Sequence, residues 1–300
     1  MRDASLLPHI ESMSIPVPGR LAEALRKSTV QIRGGGQGRQ QGSGSGVILG
    51  GRDEVVTNAH VVRNTPLHVE SWEGHTLPAS VVHIDPLQDL ALLSVPSLRG
   101  ESVTLGDSEL LRVGMPVVAV GNPFGFVGAI SSGTIHRIGA LRLAGMRPAD
   151  SSWICSDLRL APGNSGGPLA NFQGHVIGIN TMIAAGGLAF AIASRSVQKF
   201  LKRVRAPLLG VSVRPVSLPN GRSGLLLVGL TPQGPAETAS LLLGDILVAA
   251  NGRALRQPED LLDAIDTVTG PLLALSFYRG GQDRLRLVTA HLTRVAGRAA

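Results

Sequence analysis

Three hundred residues are enough for about two domains. The formal charge is +7, from 28 Lys+Arg against 21 Asp+Glu, yet no Lys/Arg run occurs and aromatics make up 3%. That excludes a nucleic-acid-binding footprint and leaves solubility or acidic clients to account for the charge. The single cysteine, Cys155, excludes an internal disulfide and reads as a small buried hydrophobe in Trp153-Ile154-Cys155. No CxxC or HExxH spacing offers a metal site, and no apolar stretch approaches the ~20 residues of a membrane span.

Residues 1–19 read as irregular, with Pro8, Pro16 and Pro18. Leu6-Leu7 is broken at once by Pro8-His9, so no leader pattern forms. The chain as given therefore reads as cytoplasmic, with a periplasmic or exported location as the alternative if the start is mis-assigned. A short amphipathic helix is expected over 20–27, a strand over 30–33 and a glycine/glutamine loop over 34–42. Strands follow at 46–49, 54–57, 67–71, 80–84, 90–95, 117–120, 131–138, 153–156, 175–180 and 188–192, each bounded by turn residues. With 38 glycines, this spacing describes an all-β domain. Residues 196–204 place Val197, Phe200, Leu201 and Val204 on one helical face. Beyond Pro207 come further strands, an Asn251-Gly252 turn and a helix over 258–266.

The chemistry centres on Leu160-Ala161-Pro162-Gly163-Asn164-Ser165-Gly166-Gly167-Pro168-Leu169. A serine among glycines can be approached closely, and the amides of Gly163 and Ser165 are free of bulk for a developing oxyanion. Upstream lie Thr57-Asn58-Ala59-His60-Val61-Val62 and Asp85-Pro86-Leu87-Gln88-Asp89-Leu90-Ala91-Leu92-Leu93. Together they give the order His60, Asp89, Ser165, one of the known orders of a Ser-His-Asp triad. Asp85 precedes a proline and reads as a turn opener; Asp89 stands at the edge of an apolar strand, where an orienting carboxylate belongs. Gly163-Asn164-Ser165-Gly166-Gly167 also satisfies G-x-S-x-G, but the strand before and the helix after are missing, and His and Asp precede the serine, which argues against an α/β-hydrolase.

These segments resemble the HtrA (Deg) family of trypsin-like serine proteases. Gly42-Ser43-Gly44-Ser45-Gly46-Val47-Ile48, Gly121-Asn122-Pro123-Phe124-Gly125, Val176-Ile177-Gly178-Ile179-Asn180-Thr181 and Phe190-Ala191-Ile192 extend the match over roughly residues 20–290. Leu208-Leu209-Gly210-Val211, Gly234-Pro235-Ala236-Glu237 and the run from Gly244 to Gly252 resemble the PDZ domain appended to such proteases. The resemblance implies a mostly β fold: a trypsin-like double β-barrel over 20–204, then a small α+β PDZ domain over 205–296. It implies a serine endopeptidase of protein quality control, with Ser165 as nucleophile, His60 as base, Asp89 as its orienting acid and no cofactor. Substrates would be unfolded or exposed polypeptides. C-terminal peptides would bind at Leu208, Leu209, Gly210 and Val211. The alternative is a peptide-binding scaffold or chaperone with little proteolytic activity.

The sequence departs from the family pattern in two places, and a third position bears on specificity. Arg159 stands six residues before Ser165, where tryptic specificity needs an acid, so a basic P1 preference is not expected. Leu158-Arg159-Leu160 replaces the small residues usual before the serine loop. Residues 1–71 contain no Phe, Tyr or Trp, which argues against the aromatic-mediated trimer of some relatives while leaving other homo-oligomers open. The segment from Gly139 to Asp150 is expected to be a regulatory loop.

Overall fold

The computed structural model describes residues 17–35, 43–49, 53–63, 66–140, 152–183, 187–218, 221–280 and 284–293. Most of the expected regulatory loop, residues 141–150, lies outside them. The chain divides into two compact units, Met1–Leu201 and Lys202–Ala300.

The first unit opens with α1 (Gly19–Lys27) and continues through β1 (Thr29–Gly34), β2 (Ser43–Ile48), β3 (Glu54–Thr57), β4 (Leu67–Glu70), β5 (Thr76–Asp85) and β6 (Leu90–Ser94). These strands close a barrel in the order β1-β2-β3-β6-β5-β4. Ile32, Ile48, Val55, Val69 and Leu93 fill it, each fully buried. Then come β7 (Pro116–Gly121), β8 (Ala129–Ala140), β9 (Ser152–Ser156), β10 (Pro168–Asn171), β11 (Val176–Ile183) and β12 (Ala189–Ala193). They close a second barrel in the order β7-β8-β9-β12-β11-β10, the same path as the first. Ile135, Ile154, Leu158, Leu169 and Ile177 form its core. Closure pairs every strand on both sides, so neither barrel presents a free sheet edge.

The structure adds a strand to the sequence reading and moves the limits of several others. β10 was not foreseen, because a proline opens it and only Leu169 and Ala170 follow before Asn171. Pairing with β7 on one side and β11 on the other makes it a strand. β5 begins at Thr76 rather than Ser80; Pro78 blurs its pattern, yet His68 of β4 pairs opposite it. Leu158 is fully buried in the second core, Leu160 packs against it, and Arg159 between them is exposed. The bulky departure from the family pattern is thus absorbed by the barrel interior. Cys155 is buried, and burial pushes its thiol up despite Arg137.

A helix, α2 (Ser194–Arg205), leads from the first unit. The second unit contains β13 (Val211–Ser217), β14 (Ser223–Leu230), α3 (Pro235–Thr238), β15 (Ile246–Ala250), β16 (Arg253–Ala254), α4 (Pro258–Asp266), β17 (Leu272–Tyr278) and β18 (Arg286–His291). Its sheet is open, in the order β13-β14-β15-β17-β18, with β16 beside β15. Leu225, Leu247, Leu273, Leu275 and Phe277 make its core. Asp260 anchors the start of α4, accepting from the amides of Arg256 (2.7 Å) and Gln257 (2.9 Å). Asp245, 1% exposed, is paired to Arg279 by two bonds of 2.7 Å, and Arg279 also donates to the Ser240 carbonyl. Among the described residues no helix is long and apolar enough to cross a membrane.

Candidate active site

The first barrel supplies His60 and Asp89. His60 stands on a short 3₁₀ turn (Ala59–Val62) directly after β3, and the buried Val61 and Val62 fix that turn to the barrel core. Asp89 precedes β6 with φ +53°, a conformation rare for a residue with a side chain. The Asn58 amide holds the Asp89 carbonyl at 2.9 Å. In this setting the Asp89 carboxylate meets His60 Nδ1 at 2.9 and 3.0 Å and accepts the His60 backbone N–H at 3.1 Å.

The second barrel supplies a third contact. Thr181, at 4% exposure on β11, donates its hydroxyl to Asp89 Oδ2 at 2.6 Å. Burial alone would push the Asp89 carboxyl up; the hydrogen bonds it accepts from His60 and Thr181 outweigh it and hold Asp89 below the usual carboxylate range. An ionised Asp89 requires the hydrogen of His60 on Nδ1, which leaves Nε2 with a lone pair. Asp85 is occupied elsewhere: its Oδ1 accepts from the Leu87 and Gln88 amides and closes its own turn.

Ser165 lies on the loop before β10. Its hydroxyl donates to the Thr181 carbonyl at 2.8 Å rather than to His60. Thr181 thus touches Asp89 with its side chain and Ser165 with its backbone. The preceding loop is pinned carbonyl by carbonyl. Ala161 O accepts from Asn164 N at 3.0 Å, Pro162 O from Phe124 N at 3.1 Å and Gly163 O from Ser45 Oγ at 2.7 Å; Asn164 O accepts from Gly167 N at 3.1 Å and Ser165 O from Ser45 N at 2.7 Å. Gly163 adopts φ +105°, and a Cβ there would sit 2.5 Å from the Asn122 carbonyl, so only glycine fits. Among the described residues the amides of Gly163 and Ser165 have no acceptor within the protein. A peptide unit is planar and trans, so fixing its carbonyl aims the amide the opposite way. The loop therefore offers two directed donors beside a hydroxyl.

Asp157, eight residues before Ser165, is engaged by β8. It accepts from the Thr134 amide at 2.6 Å and hydroxyl at 3.2 Å and pairs with His136 at 3.4 Å, contacts that outweigh its burial and hold its carboxyl below the usual carboxylate range. Among the described residues no group of three His, Cys, Asp or Glu could hold a metal ion. Thr181, Ser45 and Asn122 went unremarked as functional residues in the sequence, although each lies in a run that carries the family likeness. Thr181 lies within β11, Ser45 within the glycine-serine start of β2 and Asn122 directly after β7.

In the second unit, Leu208 is half-exposed, Leu209 is buried, and Gly210 has φ +74°, which a side chain rarely adopts. The Leu209 carbonyl accepts from Ala236 N and the Gly210 carbonyl from Thr231 N. Val211 begins β13, which ends the sheet, and α4 lies against β13. On α4, Leu261 and Ile265 turn into the core and Leu262 faces outward.

Residues 44–179 match the model of the trypsin-like peptidase domain. The chain is 35% identical over 270 residues to Serine protease HTRA1 of Xenopus tropicalis, covering 80% of this chain and 58% of that protein. It is 33% identical over 276 residues to Putative serine protease HhoB of Synechocystis, covering 83% and 66%. The chain thus spans less than two thirds of the length of either relative. Among solved structures it is similar to the HtrA-type protease AlgW with tripeptide, with a TM-score of 0.58 and 25% identity over 92% of this chain and 97% of that one.

Proposed function

This chain belongs to the trypsin-like serine proteases of the HtrA family, and from that premise we propose that it is a serine endopeptidase of protein quality control acting on unfolded or exposed polypeptides. The observation that carries the reading is the convergence on Thr181. One residue of the second barrel contacts both the acid that faces His60 and the hydroxyl of Ser165.

Chemistry begins when the Ser165 hydroxyl leaves the Thr181 carbonyl and donates to His60 Nε2. His60 takes the proton as Ser165 Oγ bonds to the scissile carbonyl carbon, and later gives it to the leaving amine. Asp89 keeps the hydrogen of His60 on Nδ1 and stabilises the imidazolium without taking a proton itself. The amides of Gly163 and Ser165 receive the oxyanion, at roughly 3 kcal/mol for each preorganised donor. No cofactor enters these steps.

For the second unit, the reading is a PDZ domain that takes the free carboxyl end of an extended peptide at Leu208, Leu209, Gly210 and Val211. Support comes from the left-handed Gly210, the edge strand β13 and the apposed helix α4. A peptide would add to β13 as a further strand. The AlgW structure with its bound tripeptide supports peptide capture by a chain of this build.

Digestion of β-casein by the purified chain, with Ser165→Ala as control, tests the peptidase reading. The parent is expected to cleave and the variant to be inactive yet folded, since one hydroxyl on this loop carries well under about 1 kcal/mol of stability. Cleavage at the parent rate by Ser165→Ala would remove Ser165 as nucleophile.

A further inference from the structure

The two carbonyls that flank Asn164 and Ser165 are both held by one residue of the other barrel. Ser45, on β2 and fully buried, donates its hydroxyl to Gly163 O at 2.7 Å and its amide to Ser165 O at 2.7 Å. The hydroxyl also receives two hydrogens from Asn122, from its backbone amide at 2.8 Å and from Nδ2 at 3.2 Å. Asn122 is itself locked: Nδ2 also donates to Val30 O at 2.9 Å and Oδ1 accepts from Gly128 N at 2.9 Å, which fixes its amide orientation. A hydroxyl has one hydrogen and two lone pairs. Both Asn122 groups can only donate and Gly163 O can only accept, so the Ser45 hydrogen has one direction open to it. The Ser45 carbonyl is held in turn by the Thr57 hydroxyl at 2.7 Å. Every polar atom of Ser45 is therefore committed to the serine loop or to the frame that holds it.

We propose that Ser45 is a positioning residue for the reaction, setting the tilt of the serine loop and with it the aim of the Gly163 and Ser165 amides. The inference rests on the peptidase reading above. Ser45 touches neither substrate nor Ser165 Oγ; it acts through the Gly163–Asn164 and Ser165–Gly166 peptide units, whose carbonyls it holds and which adjoin, along the chain, the units that carry the Gly163 and Ser165 amides. Without its hydroxyl, Gly163 O and Asn122 N would both lose a partner in a buried site, and the loop would be free to rotate Gly163 O toward another donor. The amides would then miss an oxyanion while His60, Asp89 and Ser165 stayed in place.

The test compares the parent with Ser45→Ala and Ser45→Cys, the second filling the site with a weak donor should the first fail to fold. Tryptophan fluorescence melting establishes that each variant is folded at the assay temperature. On a peptide substrate Ser45→Ala should lose about 10- to 100-fold in kcat with KM nearly unchanged, a part of the ~10²–10³ that a whole oxyanion donor supplies. Affinity for a peptidyl boronic acid, whose boronate oxygen occupies the oxyanion position, should fall by the same factor, while the product peptide binds as before. Ser45→Cys should lie between. A folded Ser45→Ala with unchanged kcat, or one that loses activity with full boronate affinity, overturns the proposal. Ser165→Ala runs alongside: hydrolysis that survives it overturns the serine reading and this inference together, whereas serine-dependent hydrolysis indifferent to Ser45 overturns the inference alone.

Discussion

Replacing Thr181 with valine removes a hydroxyl and keeps the shape of a side chain that is 4% exposed. The lost bond is the 2.6 Å donation to Asp89 Oδ2. A hydrogen bond to a charged group is worth about 1.5–3 kcal/mol. Asp89 keeps the His60 ring and the His60 amide as partners, so the lower end applies and the first unit should lose about 1.5 kcal/mol near neutral pH. The pH dependence has a definite sign. Asp89 titrates below its ordinary value of 3.8 in the folded chain, so the stability it contributes is present above that value and disappears as pH falls through the lower, folded one. Thr181→Val should therefore differ most from the parent near pH 7 and least at an acid pH below the lowered folded value, where the carboxyl is protonated in both folded and unfolded chains. Both tryptophans, Trp72 and Trp153, lie in the first unit, so urea titrations followed by tryptophan fluorescence at the two pH values report on it selectively. An equal stability loss at both would refute the assignment of the Thr181 hydroxyl to an ionised Asp89.

Asp89→Asn should lower initial peptidase rates by roughly four orders of magnitude, because the amide favours the wrong histidine tautomer, while Asp85→Asn should stay near the parent; equal losses would defeat the choice of Asp89. Arg279→Ala strips the partner from a carboxylate that is 1% exposed, a change that costs about 3–5 kcal/mol and should speed hydrogen exchange across β14, β15 and β17 without altering the first unit. A fluorescent peptide ending in valine should bind the 300-residue Ser165→Ala chain at least about tenfold better as the free acid than as the amide, the difference expected of one charge-assisted bond. Equal affinities in a titration would remove carboxylate recognition at Leu208–Val211.

The parts of this chain legible in its sequence are those set by local pattern. Leu90-Ala91-Leu92-Leu93 reads as a buried strand and is one, because an apolar run suits a position paired on both sides. Asp85 and Asp89 are separable by their neighbours alone, a proline in one case and that strand in the other. What local pattern does not carry is closure. β10 exists because β7 and β11 converge on four residues that would otherwise be a turn. The work of hydroxyls is hidden in the same way. Thr181 reads as one more β-branched strand residue, and Ser45 as one member of a glycine-serine run. Their roles depend on partners 92 and 118 residues away, and no periodicity reports such distances.

The split of the site between two closed barrels makes catalysis a gauge of how well they are registered. His60 and Asp89 ride on one barrel, Ser165 and its loop on the other, joined at the seam by the bonds of Thr181, Ser45 and Asn122. Each barrel has its own core, so each can stay folded while the seam slackens. A misplacement of about 1 Å between reacting groups can cost 10²-fold in rate. On warming, peptidase output should thus fade before either barrel melts, and recover on cooling without any refolding. Conversely, whatever grips both barrels at once would raise the rate while making no contact with a catalytic side chain.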